Sequence, residues 1–148
     1  MRPDGLTVLP SAYRPKETAD RLAAAVARRG MTVLARIDHA AAAAEVGMEL
    51  RPTEVIIFGN PRAGTPLMQA VQTIGIDLPL KALVWQDDTG ATFLSYNDPA
   101  FLSRRHGLAE SAKPVVEAMS GALKGIAIPF RHTSPTRIGI TGLGRQTS

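Results

Sequence analysis

The sequence predicts an α+β two-layer sandwich: about five strands in an antiparallel or mixed sheet, backed by helices in the order β-α-β-(α)-β-α-β-β-α. Three observations carry this. Residues 15–29 repeat apolar side chains at helical spacing, while 31–37 alternate at the two-residue period of a strand. Two strand-like runs of matched length flank Asp87-Asp88-Thr89-Gly90, a hairpin that a Rossmann sheet would not contain. A chain of 148 residues, 45% hydrophobic, suffices to bury one core.

Taken in order, Leu6 to Leu9 forms a first strand. Pro15 opens a helix to about Arg29, with Ala19, Leu22, Ala23 and Val26 on one face and Gly30 at the position that ends it. Glu17 and Arg21 pair across one turn on the outside. Met31 to Asp38 follows as a strand, and Asp38 is placed to cap a short helix from Ala40 to about Met48. Thr53 to Phe58 is a strand apolar on both faces. Asn60-Pro61-Arg62-Ala63-Gly64 reads as a turn, after which Thr65 caps and Pro66 opens a helix to about Ile74. Ala82–Gln86 and Thr92–Tyr96 make the hairpin. Asp98-Pro99 starts a helix to about His106, and a last helix spans Lys113 to Lys124, ended by Gly125. Residues 1–126 are thus read as one domain and 127–148, with Pro129, Pro135 and three glycines, as a loose or partner-dependent extension.

Most of the formal charge of +4 belongs to that extension. Arg131, Arg137 and Arg145 stand there with no acid, leaving 14 basic against 13 acidic residues elsewhere. A near-neutral body argues against broad nucleic-acid binding, which requires several phosphates neutralised at once. With no cysteine, thiolate catalysis, disulfides and cysteine-ligated metals are excluded. The N-terminus lacks the apolar run of a signal peptide, and no stretch approaches the roughly 20 apolar residues of a membrane span, so no membrane partner and a cytoplasmic location are expected.

The middle of the chain carries several spaced motifs. These are Arg36-Ile37-Asp38-His39 with its alanine run, Leu50-Arg51-Pro52-Thr53, and Phe58-Gly59-Asn60-Pro61-Arg62-Ala63-Gly64-Thr65-Pro66-Leu67-Met68. Asp77-Leu78-Pro79-Leu80-Lys81 and Tyr96-Asn97-Asp98-Pro99 extend the set. In this order they resemble the domain of unknown function 302 family over roughly residues 6 to 125. The resemblance implies a curved antiparallel sheet against helices, of the TATA-binding-protein-like class, in proteins that are often dimeric. It implies no activity, and fold analogy alone cannot supply one.

Candidate site residues come from strand ends and turns. The Gly59–Thr65 segment offers free N–H groups at a helix start, with the Arg62 guanidinium and the Thr65 hydroxyl as further anion contacts. Its glycine spacing imitates a phosphate-binding loop, but Thr65 follows Gly64 directly, where that loop requires a lysine. The preferred reading is a structural turn. His39, beside Asp38, is the best candidate for a general base or a metal ligand, although adjacent strand residues point to opposite faces. Glu45 and Glu49 stand one turn apart and could join it, but a solvated acidic face is the simpler reading. Asn60 and Tyr96 at neighbouring strand ends complete a ligand set of His39, Asn60, Arg62, Gly64, Thr65 and Tyr96. Arg104-Arg105-His106 fits a helix C-terminus on dipole grounds alone, Leu67 and Met68 fit the core, and Trp85 fits the core or a dimer interface.

No catalytic set is complete, and no cofactor or metal is assigned. The leading expectation is a homodimeric binding or sensing module with a small-molecule or anion ligand at the strand ends. The dimer follows from Val55/Ile57 and Ile56/Phe58 pointing to opposite faces while one helix layer covers one face. Second comes an interaction module using the other sheet face and the tail, and third an enzyme with His39 and Asp38 as acid–base groups.

Overall fold

Five extended segments pair into one antiparallel sheet in the computed structural model, which describes residues 2–131. The strands β1 (Leu6–Ser11), β2 (Thr32–Asp38), β3 (Thr53–Gly59), β4 (Leu80–Gln86) and β5 (Thr92–Asn97) lie in the order β1-β5-β4-β3-β2. The helices are α1 (Pro15–Arg28), α2 (His39–Glu45), α3 (Pro61–Ala70), α4 (Pro99–His106) and α5 (Lys113–Arg131), with short 3-10 helices at Gln72–Ile76 and Glu110–Ala112. The α+β class and the element order agree with the sequence reading, and all four strand pairings are antiparallel.

Register assigns each side chain to a face. Phe58 pairs with Leu80, Ile56 with Ala82, Ala82 with Tyr96 and Val84 with Leu94, so these share one face. They are buried against Ala19, Leu22 and Val26 of α1 and Leu123, Ile126, Ala127 and Phe130 of α5. The alternate residues Val55, Ile57, Leu83, Trp85 and Phe93 lie on the opposite face, half-buried and outside both core clusters. There Trp85 stacks on Phe93 with ring centroids 4.8 Å apart and donates Nε1–H to Ser95 Oγ at 2.8 Å. Ile37, paired with Val55, extends this face and is 42% exposed.

Local chemistry fixes the joins. Asp38 caps α2 by accepting from the Ala41 N–H at 2.9 Å, and Asp98 caps α4 by accepting from Ala100 at 3.0 Å. Gly30, at φ 79°, turns the chain out of α1 as expected. Pro10 falls within β1, which is an edge strand and tolerates the missing donor. Arg36 of β2 reaches Glu54 on β3 at 2.6 Å and Asp20 on α1 at 3.0 Å, joining the helix layer to the sheet. The hydrogen bond to Glu54, ahead of that to Asp20, raises the Arg36 pKa further above its ordinary value.

Several boundaries differ from the sequence reading: α2 ends at Glu45 rather than about Met48, α3 at Ala70 rather than about Ile74, and two others bear on the site. Helix α3 begins at Pro61, not Pro66, and its cap is Asn60, whose side chain accepts from the Arg62 N–H at 3.0 Å, so Thr65 is no cap. Asn-Pro is itself a good helix start, and Pro66, inside the helix, removes only the donor aimed at the Arg62 carbonyl. Helix α5 does not end at Gly125 but continues to Arg131. Leu123, Ile126, Ala127 and Phe130 keep one buried stripe at helical spacing, and that packing outweighs the glycine. The rest of the predicted extension lies outside the described residues.

Candidate functional site

The amphipathic halves of α5 serve different neighbours. Its C-terminal half packs on the sheet with α1, while Val116 and Met119 of its N-terminal half join Leu67 of α3, Ile74 and Ala112 in a second, smaller cluster. Where α3 and α5 diverge above the ends of β2, β3 and β4, a cleft of ≈ 740 Å³ opens. That volume falls within the ~300–1,000 Å³ of small-molecule sites.

One wall is α3, through Ala63, Gly64 and Met68, and the other is α5, through Val115, Ala118, Met119 and Ala122. Met31, Leu34, Leu78 and Leu80, with three prolines, Pro61, Pro79 and Pro114, supply the rest of the apolar lining. A bulge between Val33 and Ala35 interrupts the β2–β3 register beside Leu34, which is 58% exposed. Gly59 allows β3 to end close under Pro79: a Cβ there would stand 3.2 Å from Pro79 Cβ. Polar groups are few, namely Arg29, Thr32, Asn60 and Thr65. Among the described residues, no carboxylate lines the cleft.

Of the residues expected to form a site, Asn60, Gly64 and Thr65 meet at this cleft. Arg62 is exposed on the same helix but is not part of the lining. His39 is not brought to them. Thr32 begins β2 opposite Gly59, whereas His39 follows Asp38 at the far end of that strand, roughly 20 Å away at ~3.3 Å per residue. It is exposed, and its neighbour Asp38 is engaged in capping α2. Glu45 and Glu49 are exposed as well, and among the described residues no group of three or more histidine or acidic side chains is placed to hold a metal. Tyr96 belongs to the main core, 7% exposed, and pairs with Ala82.

The structure adds a polar line that sequence spacing did not suggest. His106 Nε2 is 2.6 Å from Asp77 Oδ2, its Nδ1 is 3.1 Å from Thr73 Oγ1, and Arg105 Nη1 reaches both Asp77 oxygens at 3.1 and 2.9 Å. The two ring nitrogens thus link the Asp77 carboxylate on one side to the Thr73 hydroxyl on the other. The imidazole is 8% exposed. The line joins α4 to the segment that enters the cleft wall at Leu78. Only the helix-end location of the Arg104–His106 cluster was visible in sequence. Its acidic partner is 29 residues distant.

A family model described as "Domain of unknown function DUF302" matches residues 7–126. Two curated proteins named "Fluoride-specific ion channel FluC 1", from Brucella suis and Brucella abortus, are each 49% identical over 115 residues, or 78% of this chain. The matched stretch is 45% and 43% of their respective lengths, so the chain spans less than half of these relatives. The crystal structure of an uncharacterized conserved protein DUF302 from Bacillus stearothermophilus superimposes with a TM-score of 0.77 at 19% identity, covering 87% of this chain and all of that one. That likeness concerns the fold alone.

Proposed function

We propose that this chain, which belongs to the family described as domain of unknown function DUF302, is a binding module that holds an apolar small molecule in the cleft between α3 and α5. The observation that carries the reading is a ≈ 740 Å³ cleft with predominantly apolar lining and a few polar groups, the usual composition of a ligand site. A filled core would have closed the same space with side chains. Asn60 and Thr65, at the α3 wall, supply hydrogen-bonding groups that can orient the ligand. The acid–base reading of His39 has less support, because Asp38 is committed to the α2 cap and His39 stands at the other end of β2.

Native mass spectrometry of the full chain tests this. The expected result is a reproducible added mass that disappears in the denatured spectrum and is lost in Met68→Trp, which fills the cleft. A bare mass that stays bare on titration with small apolar compounds overturns it.

A second copy is proposed as the cover of the opposite sheet face. Val55, Ile57, Leu83, Trp85 and Phe93 stand half-buried there, outside both core clusters, which supports a partner covering them. The curated relatives contain a matching stretch in under half their length, which supports reading the domain as a module that also operates joined to other protein parts. Fluoride conduction is in the name of those proteins. Among the described residues of this chain, no helix is long and apolar enough to cross a membrane.

A further inference from the structure

We propose that the cleft ligand is an aliphatic carboxylate, its chain lying between α3 and α5 and its head group held by Arg29. The proposal rests on the cleft reading above and names the chemistry of what fills it. Arg29 follows the last turn of α1 and, among the described residues, is the only charged one lining the cleft. No ion pair engages it among the described residues, whereas Arg21, Arg36 and Arg105 each have a carboxylate partner.

Its guanidinium is placed by a gap in α5. A Cβ built at Gly125 would stand 2.1 Å from Arg29 Nη2 and 2.8 Å from Cζ, so the group lies against the bare helix backbone there. Ala118, Ala122 and Gly125 follow one another at helical spacing, so small residues line the way from the apolar cleft to the cation. The remaining lining offers apolar surface and neutral polar groups, and among the described residues no acid lining the cleft competes for the guanidinium. An apolar chain with one anionic end satisfies both parts, and the planar fork of arginine matches a carboxylate bidentately.

The test is calorimetric titration of the full chain with decanoate, decanol and decyltrimethylammonium, each below its micelle concentration. Decanoate is expected to bind at least tenfold more tightly than decanol, and the ammonium more weakly than both. Arg29→Gln should reduce decanoate affinity about tenfold and leave decanol unchanged. Gly125→Ala keeps the charge but displaces the guanidinium, and should reproduce part of that loss. Met68→Trp should abolish binding of both uncharged and anionic compounds. If decanoate and decanol bind alike and Arg29→Gln changes neither, the head-group assignment is wrong while the cleft reading survives. If none of the three binds to a chain whose circular dichroism shows it folded, both are wrong.

Discussion

His106, the last residue of α4, closes a 2.6 Å hydrogen bond from Nε2 to Asp77, which immediately precedes Leu78 and Pro79 in the wall of the cleft. Helix α4 itself does not line the cleft, so this contact is how its end bears on the site. His106→Ala leaves Asp77 with Arg105 alone and Thr73 without its ring partner. The expected cost is about 1–3 kcal/mol, as for other hydrogen bonds to charged, mostly buried groups. Urea unfolding measures it. Asp77→Asn should cost a similar amount, and the double variant should cost less than the sum, because both remove the same contact.

A second expectation concerns the start of α3. Asn60 accepts from the Arg62 N–H, and Asn60→Ala leaves that donor to water. The loss should be about 1 kcal/mol of stability. Asn60→Asp should restore most of it, since the carboxylate accepts the same bond and suits the positive end of the helix. Thr65→Ala, by contrast, should change stability by no more than about 0.5 kcal/mol, because an exposed residue within the helix has no cap to lose. Chemical unfolding of the three variants separates the two possible helix starts.

The difference between those starts shows what the sequence could reveal. Helix α1, the β4–β5 hairpin and the caps at Asp38 and Asp98 depend on neighbours within a few residues, and all were legible. At 60–66 the local signals conflicted: Gly64 and Pro66 are breakers by propensity, but packing of Leu67 and Met68 against the α5 cluster sustains the helix through them. Gly125 was misread for the same reason. The cleft was hidden differently. Met68 has the same helical spacing whether it fills a core or lines a cavity, and only the divergence of α3 from α5 decides which. His106 and Asp77 are joined by topology across 29 residues, a relationship no local pattern encodes.

The turn of the hairpin predicts an acid dependence. Asp87 Oδ1 accepts from the Thr89 hydroxyl at 2.7 Å, from the Ala91 N–H at 3.0 Å and from the Thr89 N–H at 2.9 Å. The Thr89 hydroxyl bond leads in lowering its pKa below the ordinary 3.8; desolvation opposes it, and the two backbone donors and the charge of Arg51 add to the lowering. A carboxylate whose folded pKa is depressed adds stability that is present above its unfolded value and is lost as pH falls through the folded one. Wild-type stability should therefore fall on acidification below about pH 4, and Asp87→Asn should flatten that part of the profile while starting from a lower stability at neutral pH. Thermal unfolding from pH 7 to pH 2 reads both.

The last prediction addresses the sheet face opposite the helices, where the chain's single tryptophan serves as reporter. Trp85 stacks on Phe93 and is bonded to Ser95, so its environment within one protomer is fixed, and any change on dilution reflects what covers it from outside. If a second copy is that cover, the full chain sediments as a dimer, and dilution shifts tryptophan emission to the red as water reaches the ring. Ile37→Glu, on the same face and already 42% exposed, sacrifices little packing within the protomer but places a charge in the interface. It should give a monomer with unchanged circular dichroism and the red-shifted emission at every concentration. Glu110→Lys, an exposed change in the second 3-10 helix, which packs with α5 in the helix layer, should leave the dimer intact. A wild-type chain that sediments as a monomer at all concentrations would remove the second copy as the partner of this face.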